Sequence, residues 1–199
     1  MDFFPALFSK AFFAIVEKQT GSYSRGGSVM AKKTSDYRGH IEEVVKAFGE
    51  DRVLLVSRGK EGLPNVMAIG WGTTGIIWRR PIFMVLVRPS RYTYKLIEET
   101  GEFTVNIVPP KLKEVVQYCG TVSGLEHDKF KEKQLTVIPS KKVRTPIIKE
   151  CILHFECRVV HKNDLIPSAL EKSIIDTLYP KGDFHRFYFG EILACQSES

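Results

Sequence analysis

No stretch of this 199-residue chain is both long and apolar: no uninterrupted run exceeds six residues, the length reached at 11–16 and 82–87. A bilayer-spanning helix needs roughly twenty, so no membrane partner is expected. Cysteine is scarce and unpatterned. Cys119, Cys151, Cys157 and Cys195 form no C-x-x-C pair and no regular framework, which reads as a cytoplasmic chain with free thiols. Cys151-x-x-His154-x-x-Cys157 offers three soft ligands on paper. On a strand, however, His154 faces away from both cysteines, whose sulfurs stand about 20 Å apart, so no metal site is expected. The excess of one charge is also small, 29 Lys+Arg against 23 Asp+Glu for a net +6. That suits small anions and argues against a nucleic-acid partner.

Several catalytic signatures are missing as well. The G-x-G-x-x-G at 70–75 opens no helical pattern and no P-loop is present, so neither of the common dinucleotide and triphosphate sites is supported. No G-x-S-x-G elbow, H-E-x-x-H, Ser/His/Asp or Cys/His set supports nucleophilic or metalloprotease chemistry. What remains is ordinary globular composition, 43% hydrophobic and 26% charged, and a length at which one domain buries roughly 70% of its unfolded surface.

Residues 1–29 differ from the rest. Asp2, Pro5 and Lys10 interrupt any secretory signal. The segment reads either as a short amphipathic helix ending near Lys18 with a flexible 21–28 linker, or as an extension upstream of the native start. Arg25-Gly26-Gly27 can be encoded by a purine-rich run of the kind that forms a ribosome-binding site, and Met30 follows it. The expectation is that translation begins at Met30, leaving +5 over 170 residues.

From residue 35 onward the chain shows no repeat and no long polar linker. Ile41, Val44, Val45 and Phe48 have helical spacing. RVLLVSR (52–58), VMAIGW (66–71), IFMVLVR (82–88), EFTVNIV (102–108), CILHFECRVV (151–160) and FYFGEILAC (187–195) read as strands, and GKEGLPN (59–65) as a hairpin turn. RYTYKLIEET reads as a helix with Ser90 as N-cap and Gly101 as its stop, and LKEVVQYC and HDKFKEK as short helices. Strands in hairpin-compatible order predict a mainly β barrel with peripheral helices.

Four features could carry chemistry. At the strand-to-helix junction 87–93, Arg88, Ser90, Arg91 and Thr93 crowd a helix N-terminus, which suits a phosphate. An ordinary cap with exposed arginines is the plainer alternative. Thr121, Ser123 and Lys129 could address the same anion, although a simple loop fits equally. Gly70 and Gly72 bracket Trp71 in PNVMAIGWGTT (64–74), which permits close approach by another strand or by a flat ligand. His185 lies at a turn-to-strand boundary between Gly182 and Gly190.

In their order and spacing, PNVMAIGW, VRPSRYTYKLIEETGEFTVNIVP, CGTVSG followed by DKF, ECRVV, and H-x4-G ending at Gly190 resemble the flavin reductase-like family of FMN-binding split barrels, which includes the flavoredoxins. The resemblance runs from about Asp51 to Cys195. It implies a six-stranded Greek-key split β-barrel spanning residues 30–199, a homodimer, and FMN near the subunit interface. It further implies that Asn65, Met67, Ala68, Ile69, Gly70, Trp71 and Thr73 line the isoalloxazine. Ser90, Arg91, Tyr92 and Thr93 would lie near the phosphate or ribityl chain. Asn106, Ser123, Gly124 and Lys129 match further polar positions of the cofactor site. His185 matches a histidine on the ring side, where NADH or NADPH could approach, and is the candidate catalytic residue.

Two departures stand out: Phe184 is inserted before His185, and residues 163–181 form an extra helical excursion. The implied activity is oxidoreductase chemistry, as an NAD(P)H-dependent flavin or ferric reductase. The alternatives are a flavoredoxin-type carrier reduced by a protein partner, and a non-catalytic barrel binding another flat ligand.

Overall fold

The computed structural model describes residues 32–198; the expectations for residues 1–29 lie outside them. The strands are β1 (Lys32–Thr34), β2 (Val53–Arg58), β3 (Pro64–Ala68), β4 (Gly72–Ile77), β5 (Arg80–Val87), β6 (Glu102–Ile107), β7 (Val137–Ile138), β8 (Ile147–Ile148), β9 (Leu153–Asp164) and β10 (Arg186–Glu198). The helices are α1 (Ile41–Gly49), α2 (Tyr92–Thr100), α3 (Lys113–Thr121), α4 (Lys129–Glu132) and α5 (Lys172–Leu178).

The main sheet follows the order β3-β2-β6-β9-β10-β5-β4, with β1 paired to β10 off that path, eight strands among the described residues. Every pairing is antiparallel. The two strands at the ends of the path, β3 and β4, are consecutive in the chain and joined only by residues 69–71. Such a link spans at most about 14 Å, whereas seven flat strands would hold their edges about 29 Å apart. The sheet therefore curls until its edges nearly meet and stays unpaired there. This is the split of a mainly β split barrel, and residues 69–71 bridge it.

Strand β2 shows how the sequence builds the interior. Val53, Leu54, Leu55 and Val56 are all fully buried, because alternate residues enter different cores. Val53 and Leu55 join Phe83, Phe103, Phe155 and Tyr188 within the curled sheet, with Val44 and Ala47 of α1 closing it. Leu54 and Val56 join Val66, Val116, Cys119 and Phe130 under α3 and α4. The cysteines are structural members of these cores: Cys157 and Cys195 pack in the first, Cys119 and Cys151 in the second, and all four are free. His154 is fully buried, with Nε2 2.7 Å from Ile148 O and Nδ1 3.3 Å from Gln196 O.

Three local expectations change. The run 64–74 is two strands interrupted at 69–71, because β3 pairs with β2 while β4 pairs with β5 on the opposite edge. Ser90 does not cap α2: the N-cap is Arg91 without a side-chain cap bond, and Ser90 Oγ instead donates to Asp183 Oδ2 at 2.6 Å. The excursion begins later than residue 163, since β9 continues to Asp164 and pairs with β10 at Arg186. It consists of a 3-10 turn (Pro167–Ala169) and α5.

Among the described residues no helix is long and apolar enough to cross a membrane.

Candidate functional site

Two adjoining cavities open at the split and share Met67, Ala68 and Arg91 in their walls. The first, about 150 Å³, is polar and lies between β3, the N-terminus of α2, the end of α3 and the start of α4. The second, about 280 Å³, is a slot along the 69–71 bridge, walled by Leu86, Arg88 and His185.

The polar cavity gathers groups able to hold an anion. Helix α2 starts without a side-chain cap; Tyr94 N donates to Arg91 O at 2.9 Å, which leaves the N–H groups of Tyr92 and Thr93 for an external acceptor. Thr93 is buried in that turn, and its Oγ1 accepts from Asn65 Nδ2 at 2.8 Å. On the opposite wall, Asp128 accepts from Lys131 N at 3.1 Å and starts α4 at Lys129. Lys129 is 4% exposed, and its Nζ donates to Cys119 O at 2.9 Å, the ammonium's one hydrogen bond among the described residues. Burial, with Arg91 adding to it, pushes the Lys129 pKa below the usual lysine range. A buried ammonium has three donors and is costly without a charge partner. Two of its N–H groups thus remain for an anion in the cavity that Lys129 lines.

Two aromatic rings, Trp71 and His185, stand in the wall of the slot. The Trp71 and His185 rings lie 4.8 Å apart, and Tyr179 meets both, at 6.2 Å from Trp71 and 5.5 Å from His185. Burial, followed by repulsion from Arg88, pushes the His185 pKa down to about 4, so the imidazole is neutral at pH 7. Tyr179 belongs to the excursion, which Arg88 ties down: its guanidinium donates to Leu178 O at 2.9 Å and Asp183 O at 2.8 Å, and lies 4.8 Å over the Tyr179 ring.

Most residues singled out from the sequence converge here. Asn65, Ser90, Arg91, Tyr92, Thr93, Ser123, Gly124 and Lys129 line the polar cavity. Ile69, Gly70, Trp71 and His185 line the slot, and Met67 and Ala68 line both. Three residues are placed elsewhere, the first being Thr121, which lines neither cavity and whose Oγ1 donates to Tyr118 O at 2.9 Å. Asn106 is fully buried, its Oδ1 accepts from Ile148 N at 3.1 Å, and its Nδ2 donates to Thr104 Oγ1 at 3.0 Å, so it joins β6 to β8. Thr73 sits on β4 opposite Met84 and lines neither cavity. Arg88, expected beside the phosphate, has its guanidinium occupied by the excursion.

The glycines beside Trp71 also divide in role. A Cβ on Gly72 would stand 2.7 Å from the Phe48 ring and 2.9 Å from Met84 O, so its close approach is to protein. A Cβ on Gly70 would meet nothing within 4 Å, because that position opens on the slot.

Tyr179 and Leu86 were not anticipated. Leu86 follows from alternation along IFMVLVR, whereas nothing in the local pattern marks Tyr179.

The model of the flavin reductase like domain matches residues 48–199. A solved flavoredoxin from Methanosarcina acetivorans is 33% identical, with a TM-score of 0.60 over 75% of this chain and 69% of that one. A flavoredoxin of Desulfovibrio vulgaris (Miyazaki F) shares the fold at TM-score 0.60 and 23% identity, over 89% of this chain and 77% of its own. An uncharacterized protein of Archaeoglobus fulgidus is 40% identical over 109 residues, which are 55% of this chain and 60% of that relative. The chain spans less than two thirds of that relative's length. The chain belongs to the flavin reductase like domain family.

Proposed function

We propose that this protein is an FMN-binding flavoprotein oxidoreductase that uses NADH or NADPH to reduce a flavin or ferric acceptor. The observation that carries the reading is the buried Lys129 ammonium, short of acceptors, in a polar cavity that adjoins a slot walled in part by Trp71 and His185. A ligand with a phosphate at one end and a planar ring at the other matches both cavities. Lys129, Arg91, Ser123 and the first-turn N–H groups of α2 would hold the phosphate, with Asn65 and Thr93 shaping its wall. Residues 67–71 would line the ring. FMN bound there supplies the hydride and electron chemistry.

The chain's own residues supply position and environment. Trp71 and His185 line the slot, and Tyr179 packs against both. His185 stays uncharged at neutral pH and offers a hydrogen bond rather than a charge. The two cations at the polar end favour a dianion over a neutral ribityl alcohol.

We further read the protein as a cytoplasmic homodimer, with the cofactor near the subunit interface and a small molecule or protein as electron acceptor. Exposed Ile76 and Trp78, 62% and 58% accessible on the β4–β5 hairpin, support an apolar contact surface. A second reading, a flavoredoxin-type carrier reduced by a protein partner, draws support from the excursion, whose Tyr179 packs on the ring side where a nicotinamide would enter.

Anaerobic titration of the FMN-loaded protein separates these readings. Bleaching by NADH or NADPH supports the reductase. Bleaching only by dithionite or a reduced protein donor supports the carrier, and failure to take up FMN rejects both in favour of another flat ligand.

A further inference from the structure

We propose that Tyr179 is a positioning residue of this site: its hydroxyl donates to Nδ1 of His185 and fixes the imidazole in the tautomer that offers Nε2–H to a ligand in the slot. The hydrogen bond rests on geometry alone. Its consequence for a ligand rests on reading the slot as the place where the reductant meets the flavin.

The Tyr179 hydroxyl oxygen lies 2.7 Å from His185 Nδ1, and both residues are buried. The ring is held by contacts that do not involve the hydroxyl. It stacks on Phe184 at 4.8 Å, presents an edge to Trp71 and lies beneath the Arg88 guanidinium. Its backbone N–H donates to Ile175 O at 2.9 Å, which seats it at the end of α5. The hydroxyl is thus delivered to Nδ1 by a framework that leaves it little choice of partner.

The direction of the hydrogen bond follows from counting donors. Among the described residues the phenol makes no other hydrogen bond. Were Nδ1 to carry the proton, the hydroxyl hydrogen would be left without an acceptor in a buried setting, which is the costlier arrangement. With the hydroxyl donating, both groups are satisfied. The charged groups around the imidazole are Arg88, Arg91 and Asp183. Burial holds the phenol above its ordinary range and, with the two arginines, holds the imidazole below its own, so both stay neutral through the physiological range.

The proton is then on Nε2, which has no hydrogen bond among the described residues, on a residue that lines the slot. A neutral N–H there pairs with an acceptor oxygen. The ligand class this favours is planar and carries a carbonyl or carboxamide oxygen, as the nicotinamide ring does. Arg88 does not compete for that oxygen, because backbone carbonyls of the excursion occupy it.

The test is nitrogen-15 spectroscopy of the histidine rings in the full-length protein, FMN-free and FMN-loaded. His185 is assigned by its loss in His185→Gln, and the key variant is Tyr179→Phe, which keeps every ring contact. The expected result is an unprotonated Nδ1 and a protonated Nε2 at neutral pH, replaced in Tyr179→Phe by a mixture of tautomers. The same variant should raise the KM for NADH about five- to tenfold while FMN affinity changes less than twofold. A protonated Nδ1 in the unmodified protein, or an unchanged tautomer in Tyr179→Phe, overturns the proposal. Failure to take up FMN would overturn the functional reading and leave the tautomer result standing, so the two failures are told apart.

Discussion

Gly124 lies so close to Asn65 that a Cβ at position 124 would stand 1.9 Å from Asn65 Oδ1. That contact fixes the amide that donates to Thr93 Oγ1 in the first turn of α2, so one loop glycine sets the wall of the polar cavity. Gly124→Ala should displace the amide, lower the unfolding free energy by about 1–3 kcal/mol, and weaken FMN binding at least tenfold. Gly120→Ala is the control, because its Cβ would meet only Ala68 Cβ at 3.2 Å and should change stability by less than about 1 kcal/mol. Denaturant unfolding and FMN titration of both variants check this.

Arg88 separates two roles. A phosphate ligand would lose FMN affinity on truncation, whereas a tether for the excursion would loosen residues 165–185. The guanidinium's bonds to Leu178 O and Asp183 O favour the tether. Arg88→Ala should therefore increase amide exchange and proteolytic cutting within 165–185 while FMN affinity falls less than about threefold. A loss of phosphate-dependent binding with an unchanged exchange pattern would restore the phosphate role.

These outcomes show what the sequence made legible. Strong local patterns survived: β2, β5 and β6 alternate or run apolar where the sheet buries them, and Gly101 stops α2 in a left-handed conformation. The junction 90–93 converged with 123–129 because α2 and α4 bring their first turns to one cavity. Arg88 misled because its neighbours in sequence point to the anion, while its partners come from residues ninety positions away. Asn106 was misplaced for a similar reason: its acceptor and donor partners come from β8 and β6, and side-chain satisfaction in a core has no local signature. Strand β4, GTTGII, begins inside the run 64–74 that reads as a single strand, and only its ladder with β5 makes it a separate one.

Lys129 gives a prediction in which stability and binding move oppositely. A buried ammonium with one acceptor weakens the fold when no anion is present. Lys129→Met should hold or raise the unfolding free energy of the FMN-free protein, by up to about 2 kcal/mol. It should also lower FMN affinity about 10- to 100-fold, the worth of a charge-assisted contact. A loss of stability without ligand would show that Lys129 serves the fold instead.

Acid should weaken the protein through two histidines before any carboxylate contributes. Burial lowers His154 and His185 to about 4, against about 6.5 in an unfolded chain. Between those values the unfolded state binds protons that the folded state does not. Stability is therefore full above about pH 6.5 and falls as pH drops toward 4, by about 3 kcal/mol for each histidine. The depressed carboxylates, among them Glu98 and Asp164, add their loss only below about pH 4.5. His154→Gln should roughly halve the slope of unfolding free energy between pH 6.5 and 4.5, and an unchanged slope would contradict the assignment.

The most direct test of the central claim, a phosphate cavity joined to a ring slot, is a comparison of FMN and riboflavin binding by the same FMN-free protein, followed by the visible spectrum. The account predicts one FMN per chain and riboflavin bound about 10- to 100-fold more weakly, with the difference reduced in Lys129→Met. Equal affinity for the two flavins, or no uptake of either, would contradict it.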